Sequence, residues 1–324
     1  MPVRARLALG LLLFPSLFTA AVVADAPPLP RVSELRVVVL STMLADAGIG
    51  EWGFAALVEA DGRQILFDTG AHPRTVLENA KELGLDLSVI EEVVLSHNHE
   101  DHTGGLLTLR RELSAKNPRA LLRVHVGKGI FWSRPEKDGR EGNAMIETRR
   151  QFEATGGTFV EHDGPVQLLP GVWLTGPVPR VHPERNWSGR GQVKTPDGVV
   201  EDNLPEDQSL VADTPRGLVL LSGCGHAGIV NTIDYARKVV RPAPLHAALG
   251  GFHLFPATDA QLDWTAEKLR GFGLENLVGA HCTGIEAVYC LREKVGLARA
   301  TAVVGAVGAG FELGKGIAPG RLAR

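Results

Sequence analysis

Cysteine is scarce in this 324-residue chain: only Cys224, Cys282 and Cys290 are present. An odd count, with two of the three inside the motifs below, argues against a disulfide framework. A Cys282–Cys290 bridge stays open, and Cys290 otherwise reads as a small apolar residue on a helix. A surplus of positive charge is missing too: the net charge of −3 offers no global attraction to nucleic acid. Beyond the first residues no stretch is long and apolar enough to cross a bilayer. There is no internal repeat, no low-complexity tract, and no Gly-x-Ser-x-Gly elbow to carry a serine nucleophile. What is present is 44% hydrophobic and 22% charged, a balance that buries a sizeable core.

Arg4 and Arg6 precede an apolar run from Leu7 to Phe18, followed by small residues at Ala20, Ala21, Ala24 and Ala26. This is the layout of a secretory leader, with cleavage expected after Ala24 or Ala26 and retention as an N-terminal anchor as the alternative. The expected organisation is a leader over residues 1–26, a Pro-rich linker over 27–34 and one domain over 35–324. The expected location is outside the cytoplasm, periplasmic or secreted, with no stable membrane span once the leader is removed.

The densest chemistry lies in Ser96-His97-Asn98-His99-Glu100-Asp101-His102-Thr103-Gly104-Gly105. Three imidazoles and a carboxylate so close together are costly to bury unless a partner satisfies them, and a divalent metal is such a partner. Glu92 to Ser96 reads as a buried strand and Leu106 to Leu109 opens a helical pattern, so the cluster sits on a strand-to-helix loop. While the loop is extended, His97 and His99 point to one side and grip one ion. Asp101 and His102, where the chain turns, reach a second. Imidazole with carboxylate suits zinc, and also iron or manganese, better than calcium or magnesium.

Around this loop the pattern alternates between strands and helices. Strands are expected at 35–41, 54–59, 64–68, 121–126, 168–175, 210–212, 218–221, 245–249, 277–280, 301–305 and 310–313. Asp61-Gly62 marks a hairpin, and helices are expected over 73–85, 106–115, 146–154, 229–240, 260–272 and 285–295. Strand runs at both ends with helices interspersed suit an α/β fold, a four-layer αββα sandwich of two mixed sheets. Two stretches stay irregular. Residues 127–165, with Lys128, Phe131, Trp132, Arg134 and Met145, are either a substrate wall or exposed decoration. Residues 179–206, with Arg180, His182, Arg185, Trp187, Arg190 and Lys194, are either an anion-binding loop or a solvated one. His125, alone in a strand, reads as structural.

The His-x-His-x-Asp-His run resembles the metallo-beta-lactamase superfamily. Further motifs agree with that resemblance: Leu66-Phe67-Asp68-Thr69-Gly70, Gly223-Cys224-Gly225-His226-Ala227-Gly228, Gly250-Gly251-Phe252-His253 and Ala280-His281-Cys282-Thr283-Gly284. Together they resemble the branch of metal-dependent hydrolases named after the 7,8-dihydropterin-6-methyl-4-(ribofuranosyl)aminobenzene-5'-phosphate synthase of methanogens. The resemblance spans about residues 35–313. It implies His97, His99 and His226 on one ion, Asp101, His102 and His281 on another, and Asp68 orienting a histidine ligand from behind. It also implies an aspartate bridging both metals at a strand end, which this sequence lacks. Gly223-Cys224 stands at a comparable place, so Cys224 is a second candidate ligand beside His226. His253 is either a substrate-binding or proton-donating group or a structural histidine.

The function expected from these residues is metal-dependent hydrolysis. Hydroxide formed on the metal attacks a small ester, lactone, amide or phosphoester, while Asp101 orients the nucleophile or carries its proton. The alternatives are a synthase-like transferase, a non-catalytic metal-binding or sensing module, and, by resemblance to other members of the fold, an iron persulfide oxygenase or a diiron oxygen reductase. The expected partner is a small-molecule substrate, with no nucleic acid.

Overall fold

In the strand Gly217–Ser222, Leu218 and Leu220 pack into one hydrophobic cluster while Val219 and Leu221 pack into another. The same split recurs in Leu35–Ser41, where Val37 and Val39 face one way and Val38 and Leu40 the other. Successive side chains leave a strand on opposite faces, so strands apolar at every position must be covered on both. Sheets of this kind need helices outside and a second sheet inside.

That is what the computed structural model shows over residues 30–187 and 189–322, with Met1 and Val3 also described. The expected leader lies, apart from those two residues, outside the described residues. The first part of the chain contributes β1 (Leu35–Ser41), β2 (Ala55–Ala60), β3 (Arg63–Phe67), β4 (Glu92–Val94), β5 (Arg123–Gly127) and β6 (Thr158–His162). The second contributes β7 (Val166–Leu169), β8 (Val172–Leu174), β9 (Gln192–Thr195), β10 (Gly198–Glu201), β11 (Ser209–Thr214) and β12 (Gly217–Ser222). The last contributes β13 (Leu245–Gly250), β14 (Asn276–Gly279), β15 (Ala302–Val304), β16 (Gly310–Glu312) and β17 (Gly316–Ala318). One sheet runs β17-β16-β1-β2-β3-β4-β5-β6, the other β15-β14-β13-β12-β11-β8-β7, and β9 with β10 forms a separate hairpin.

The inter-sheet core joins Val37, Phe54, Val58, Ile65 and Phe67 from one side to Leu174, Leu210, Val219, Leu249 and Val278 from the other. Helices α1 (Thr75–Glu82), α2 (Glu100–Thr103), α3 (Leu106–Ser114) and α4 (Ala144–Glu153) follow in the first half of the chain. Helices α5 (Ile229–Val239), α6 (Asp259–Gly271) and α7 (Ile285–Val295) follow in the second. Residues of α1, α3 and α4 cover the outer face of the first sheet, and residues of α5, α6 and α7 that of the second. The fold is the expected αββα sandwich of two mixed sheets.

Four strands escape the sequence pattern. β6 lies at a sheet edge with exposed and half-buried positions, so its letters show no apolar alternation. The exposed β9–β10 hairpin and the short β17 bury too little to mark themselves.

Parallel pairing sets up the site. β3, β4 and β5 run parallel in one sheet, and β12, β13 and β14 in the other. Their carboxyl ends meet at a common rim. Gly104, just after the metal loop, allows that loop to press on the turn after β3: a Cβ there would stand 1.9 Å from the Ala71 carbonyl oxygen.

Candidate metal centre

Asp68 follows β3 with φ of 56°, a left-handed conformation that few non-glycine residues adopt. Its fully buried carboxylate takes three hydrogen bonds, from the Ser96 amide (2.7 Å), the Ser96 hydroxyl (2.7 Å) and His102 Nδ1 (2.8 Å). The Ser96 hydroxyl has one proton and gives it to Asp68, so it accepts from His97 Nδ1, 2.9 Å away. His226 Nδ1 donates to the Asn186 carbonyl. The network thereby assigns all three rings the tautomer whose lone pair lies on Nε2. Asp68 hydrogen-bonds His102 directly and reaches His97 through Ser96.

Those lone pairs converge. His97 Nε2, His226 Nε2 and His281 Nδ1 are buried with no hydrogen-bond partner, and His281 Nε2 faces only an Asp101 oxygen out of hydrogen-bond alignment. Buried orphans of this kind are rare and call for an explanation such as an ion. One group is His97, His99 and His226; a second is Asp101, His102, Cys224 and His281, and within each the ligand atoms lie within 4.8 Å of one another. Ring centroids of His97 stand 4.6 Å from His99, 4.3 Å from His102 and 4.7 Å from His226. In the second group the Cys224 sulfur is 3.1 Å from His102 Nε2, and an Asp101 oxygen is 3.1 Å from His281 Nε2.

Cys224 and His226 thus join different groups. In an extended chain residues two apart share a side, but Gly225 at φ of 62° breaks the alternation between them. Cys224 stands in the second group, where the resemblance implied a bridging aspartate.

Electrostatics suit metal binding. Burial, reinforced by neighbouring imidazoles, holds His97 and His226 well below the ordinary histidine range. Close packing of the surrounding protein brings His99 down to about 4, although its residue surface is exposed. Three neutral imidazoles with free lone pairs are a ready nitrogen donor set. In the second group, burial pushes the Asp101 carboxyl up, but His102 and His281 outweigh it and hold the group ionised. Burial lowers His102, and Asp101 and Asp68 together raise it to about 9, so its Nε2 lone pair becomes available only as an ion displaces the second proton. The donors fit one ion per group: nitrogen only in the first, and oxygen, nitrogen and sulfur in the second.

His253 stands beside this centre at φ of 48°, its ring 4.6 Å from that of His226 and its buried Nδ1 without a partner. It also groups with Cys224 and Cys282. His125 is engaged elsewhere, with His162 and Glu92 both 2.9 Å away, in keeping with a structural role. The cysteines are all free, so no Cys282–Cys290 bridge forms.

The two irregular stretches meet beside His99. Arg134, Pro135, Lys137, Arg190, Gly191 and Asp202 contribute to a cavity of about 850 Å³ that also touches Asn98 and His99. Arg134 is bound to Glu206 (2.7 Å) and Asp202 (2.6 Å), and Asn98, its amide oriented by the same network, joins them. Of the other residues picked out in these stretches, Met145 is core, and Arg180 and Arg185 stack on Trp187 rather than leaving that ring free.

Sequence reasoning missed Trp52, 49% exposed, whose ring stands 4.7 Å from His281. No periodic signal marks it. It also missed that Gly223-x-Gly225-x-x-Gly228, between β12 and α5, has the glycine spacing of a dinucleotide-binding turn. The structure gives that spacing another use. The Glu184 carboxylate accepts from the Val230 and Asn231 amides, filling the helix N-terminus where a pyrophosphate would sit.

A sandwich of two mixed sheets with buried imidazole, carboxylate and thiol groups converging on one rim defines an αββα protein with a candidate metal centre. The sequence profile of the metallo-beta-lactamase superfamily matches residues 53–239, and the chain belongs to that superfamily. It is 32% identical over 240 residues to the 7,8-dihydropterin-6-methyl-4-(beta-D-ribofuranosyl)-aminobenzene-5'-phosphate synthase of Methanocaldococcus jannaschii, covering 72% of this chain and 81% of the relative. An uncharacterized protein of the same organism is 29% identical, over 73% of this chain and 85% of its own. Among solved structures, Tm1679, described as a metal-dependent hydrolase of the beta-lactamase superfamily, superposes with a TM-score of 0.66 at 28% identity, covering 80% of this chain and 93% of its own. Zn(2+)-bound PqqB from Methylobacterium extorquens shares the fold, with a TM-score of 0.51 at 16% identity over 85% of this chain and 99% of its own.

Proposed function

We propose that the protein is a metal-dependent hydrolase of a small ester, lactone, amide or phosphoester. One observation carries the reading: unpartnered donor atoms from loops as far apart as His97 and His281 converge in two groups at one strand rim. His97, His99 and His226 would hold one ion, and Asp101, His102, Cys224 and His281 the other. The sulfur in the second group favours zinc, or iron, over manganese. Such an ion, when bound, lowers the pKa of coordinated water toward ~7 and stabilises negative charge developing on a carbonyl or phosphoryl oxygen.

The chain's own residues supply the rest. Asp68 and Ser96 fix two imidazoles, and Asp101, whose carboxyl stays ionised, serves better as a ligand than as a proton carrier. His253, half-buried beside His226, is the group placed to hand a proton to a departing oxygen or nitrogen. The cavity between Arg134 and His99 receives the substrate.

Metal analysis of the purified chain, paired with a hydrolysis panel of lactones, phosphodiesters and beta-lactams, tests this reading. Bound zinc with turnover that disappears in His99→Ala supports it. Tightly held metal without turnover on any class favours the sensing module. The similarity to a synthase favours a second reading, transfer between two substrates. Oxygen-18 water separates the two, because hydrolysis places the label in a product and transfer does not. The leader-like residues 1–26 support a place outside the cytoplasm, which fractionation of expressing cells tests.

A further inference from the structure

Cys282 stands outside the two groups assigned an ion above but clusters with Cys224 and His253, its sulfur 3.1 Å from that of Cys224. Both thiols are free and no more than 2% exposed. Cys224 follows β12 and Cys282 sits in the short turn after β14, so two strand-end loops hold the pair together. The His253 amide donates to the Cys282 sulfur at 3.3 Å. The backbone is close as well: a Cβ on Gly251 would stand 2.8 Å from that sulfur.

We propose that Cys224 and Cys282 form an oxidisable dithiol, and that closing their disulfide takes the Cys224 sulfur away from the group of Asp101, His102 and His281. A disulfide needs the sulfurs at about 2.05 Å, so they must close by roughly 1 Å, within reach of side-chain rotation. One zinc held by both sulfurs would require the opposite movement. Two Zn–S bonds of about 2.3 Å at a tetrahedral angle set the sulfurs about 3.8 Å apart. The observed spacing favours bond formation over a shared ion.

The oxidant is a hydroperoxide. One sulfur attacks the peroxide oxygen, the O–O bond breaks, and a sulfenic acid forms as water or an alcohol leaves. The second sulfur then attacks the sulfenic sulfur and expels water. Two thiols lose two protons and two electrons, the peroxide gains them, and a dithiol reductant reverses the change. Hydrogen peroxide is little larger than water, and the centre is open along the Asp101 side chain, 22% exposed.

The effect on the metal rests on the proposed role of Cys224 as a ligand; the dithiol itself does not. The full chain, zinc-loaded and zinc-stripped, is treated with a small excess of hydrogen peroxide, then alkylated, digested and mapped by mass spectrometry. Released zinc is followed with a chromogenic chelator. The expected result is a Cys224–Cys282 linked peptide, formed faster in stripped protein, with release of about half the bound zinc and recovery after dithiothreitol and fresh zinc. Cys282→Ser, or Cys282→Ala if the serine form folds poorly, should keep its zinc under the same treatment. Stripped protein that shows sulfinic acids or unmodified thiols in place of the link overturns the inference. So does Cys282→Ser or Cys282→Ala protein that already lacks as much zinc as Cys224→Ser, since that identifies a shared ion. Full zinc content in Cys224→Ser overturns instead the ligand role, whatever the peptide map shows.

Discussion

Replacing Asp68 by Asn changes one oxygen into an amide nitrogen and leaves the side-chain shape intact. Asn also tolerates the left-handed backbone at this position, so the substitution isolates the chemistry. In the native chain one carboxylate oxygen accepts from the Ser96 amide, and the other from both the Ser96 hydroxyl and His102 Nδ1. The Asn oxygen must keep the Ser96 amide, because turning the NH2 toward it sets donor against donor. The NH2 then faces Ser96 Oγ and His102 Nδ1. The serine proton is driven toward His97 Nδ1, and His102 must carry its proton on Nε2. Both rings would present N–H where they had presented lone pairs. Losing one hydrogen bond to a charged group costs ~1.5–3 kcal/mol, and disturbing groups behind metal ligands typically lowers affinity 10–100-fold. The distinctive expectation is that Asp68→Asn weakens both metal groups at once. A chelator competition titration of stripped protein reads the two affinities separately. Two steps with native affinities in a folded Asp68→Asn protein would refute the tautomer argument.

Other substitutions probe single parts. Cys224→Ser should lower zinc content by about half while the three-imidazole group stays filled, as measured by atomic emission on the dialysed protein. Arg134→Ala strands the fully buried Glu206 carboxylate and should cost ~3–5 kcal/mol in denaturant unfolding, with smaller loss if Glu206 is neutralised in the same chain. Burial raises the Asp207 carboxyl to about 7, against hydrogen bonding from the Ala227 amide and the nearby Arg180. A folded pKa above the unfolded one gives stability that is present at low pH and lost as pH climbs from ~4 toward 7. Asp207→Asn should therefore gain on the native chain across that window, by on the order of 2–4 kcal/mol, and a melting-temperature difference that is flat with pH would contradict it.

How much was visible in the letters depended on distance along the chain. The loop from His97 to His102 announced itself because its donors are neighbours in sequence, and the boundaries of β1, α3 and α7 followed from strong apolar periodicity. Asp68 was placed behind the histidines by resemblance alone; nothing local says that Ser96 would relay it to His97. The choice between Cys224 and His226 stayed open because alternation assumes an extended chain, and the left-handed Gly225 lies between them. Both belong to the centre, in separate groups. Arg134 read as one cation in a loose stretch, since its partners Asp202 and Glu206 lie about 70 positions later. Trp52 and the Cys224–Cys282 contact have no sequence signal, being products of how loops fold back on the rim.

The donors are divided almost evenly between the two sheets: His97, His99, Asp101 and His102 belong to one, with Asp68 behind them, and Cys224, His226 and His281 to the other. Neither half of the chain carries a finished ion trap. During synthesis the first half emerges with three imidazoles and no cage; His226 then completes the first group, and the second waits for His281, a further strand and helix along the chain. Ion capture is thereby tied to the pairing of the two sheets, and a chain truncated before β14 would keep the first group whole and lack His281 from the second.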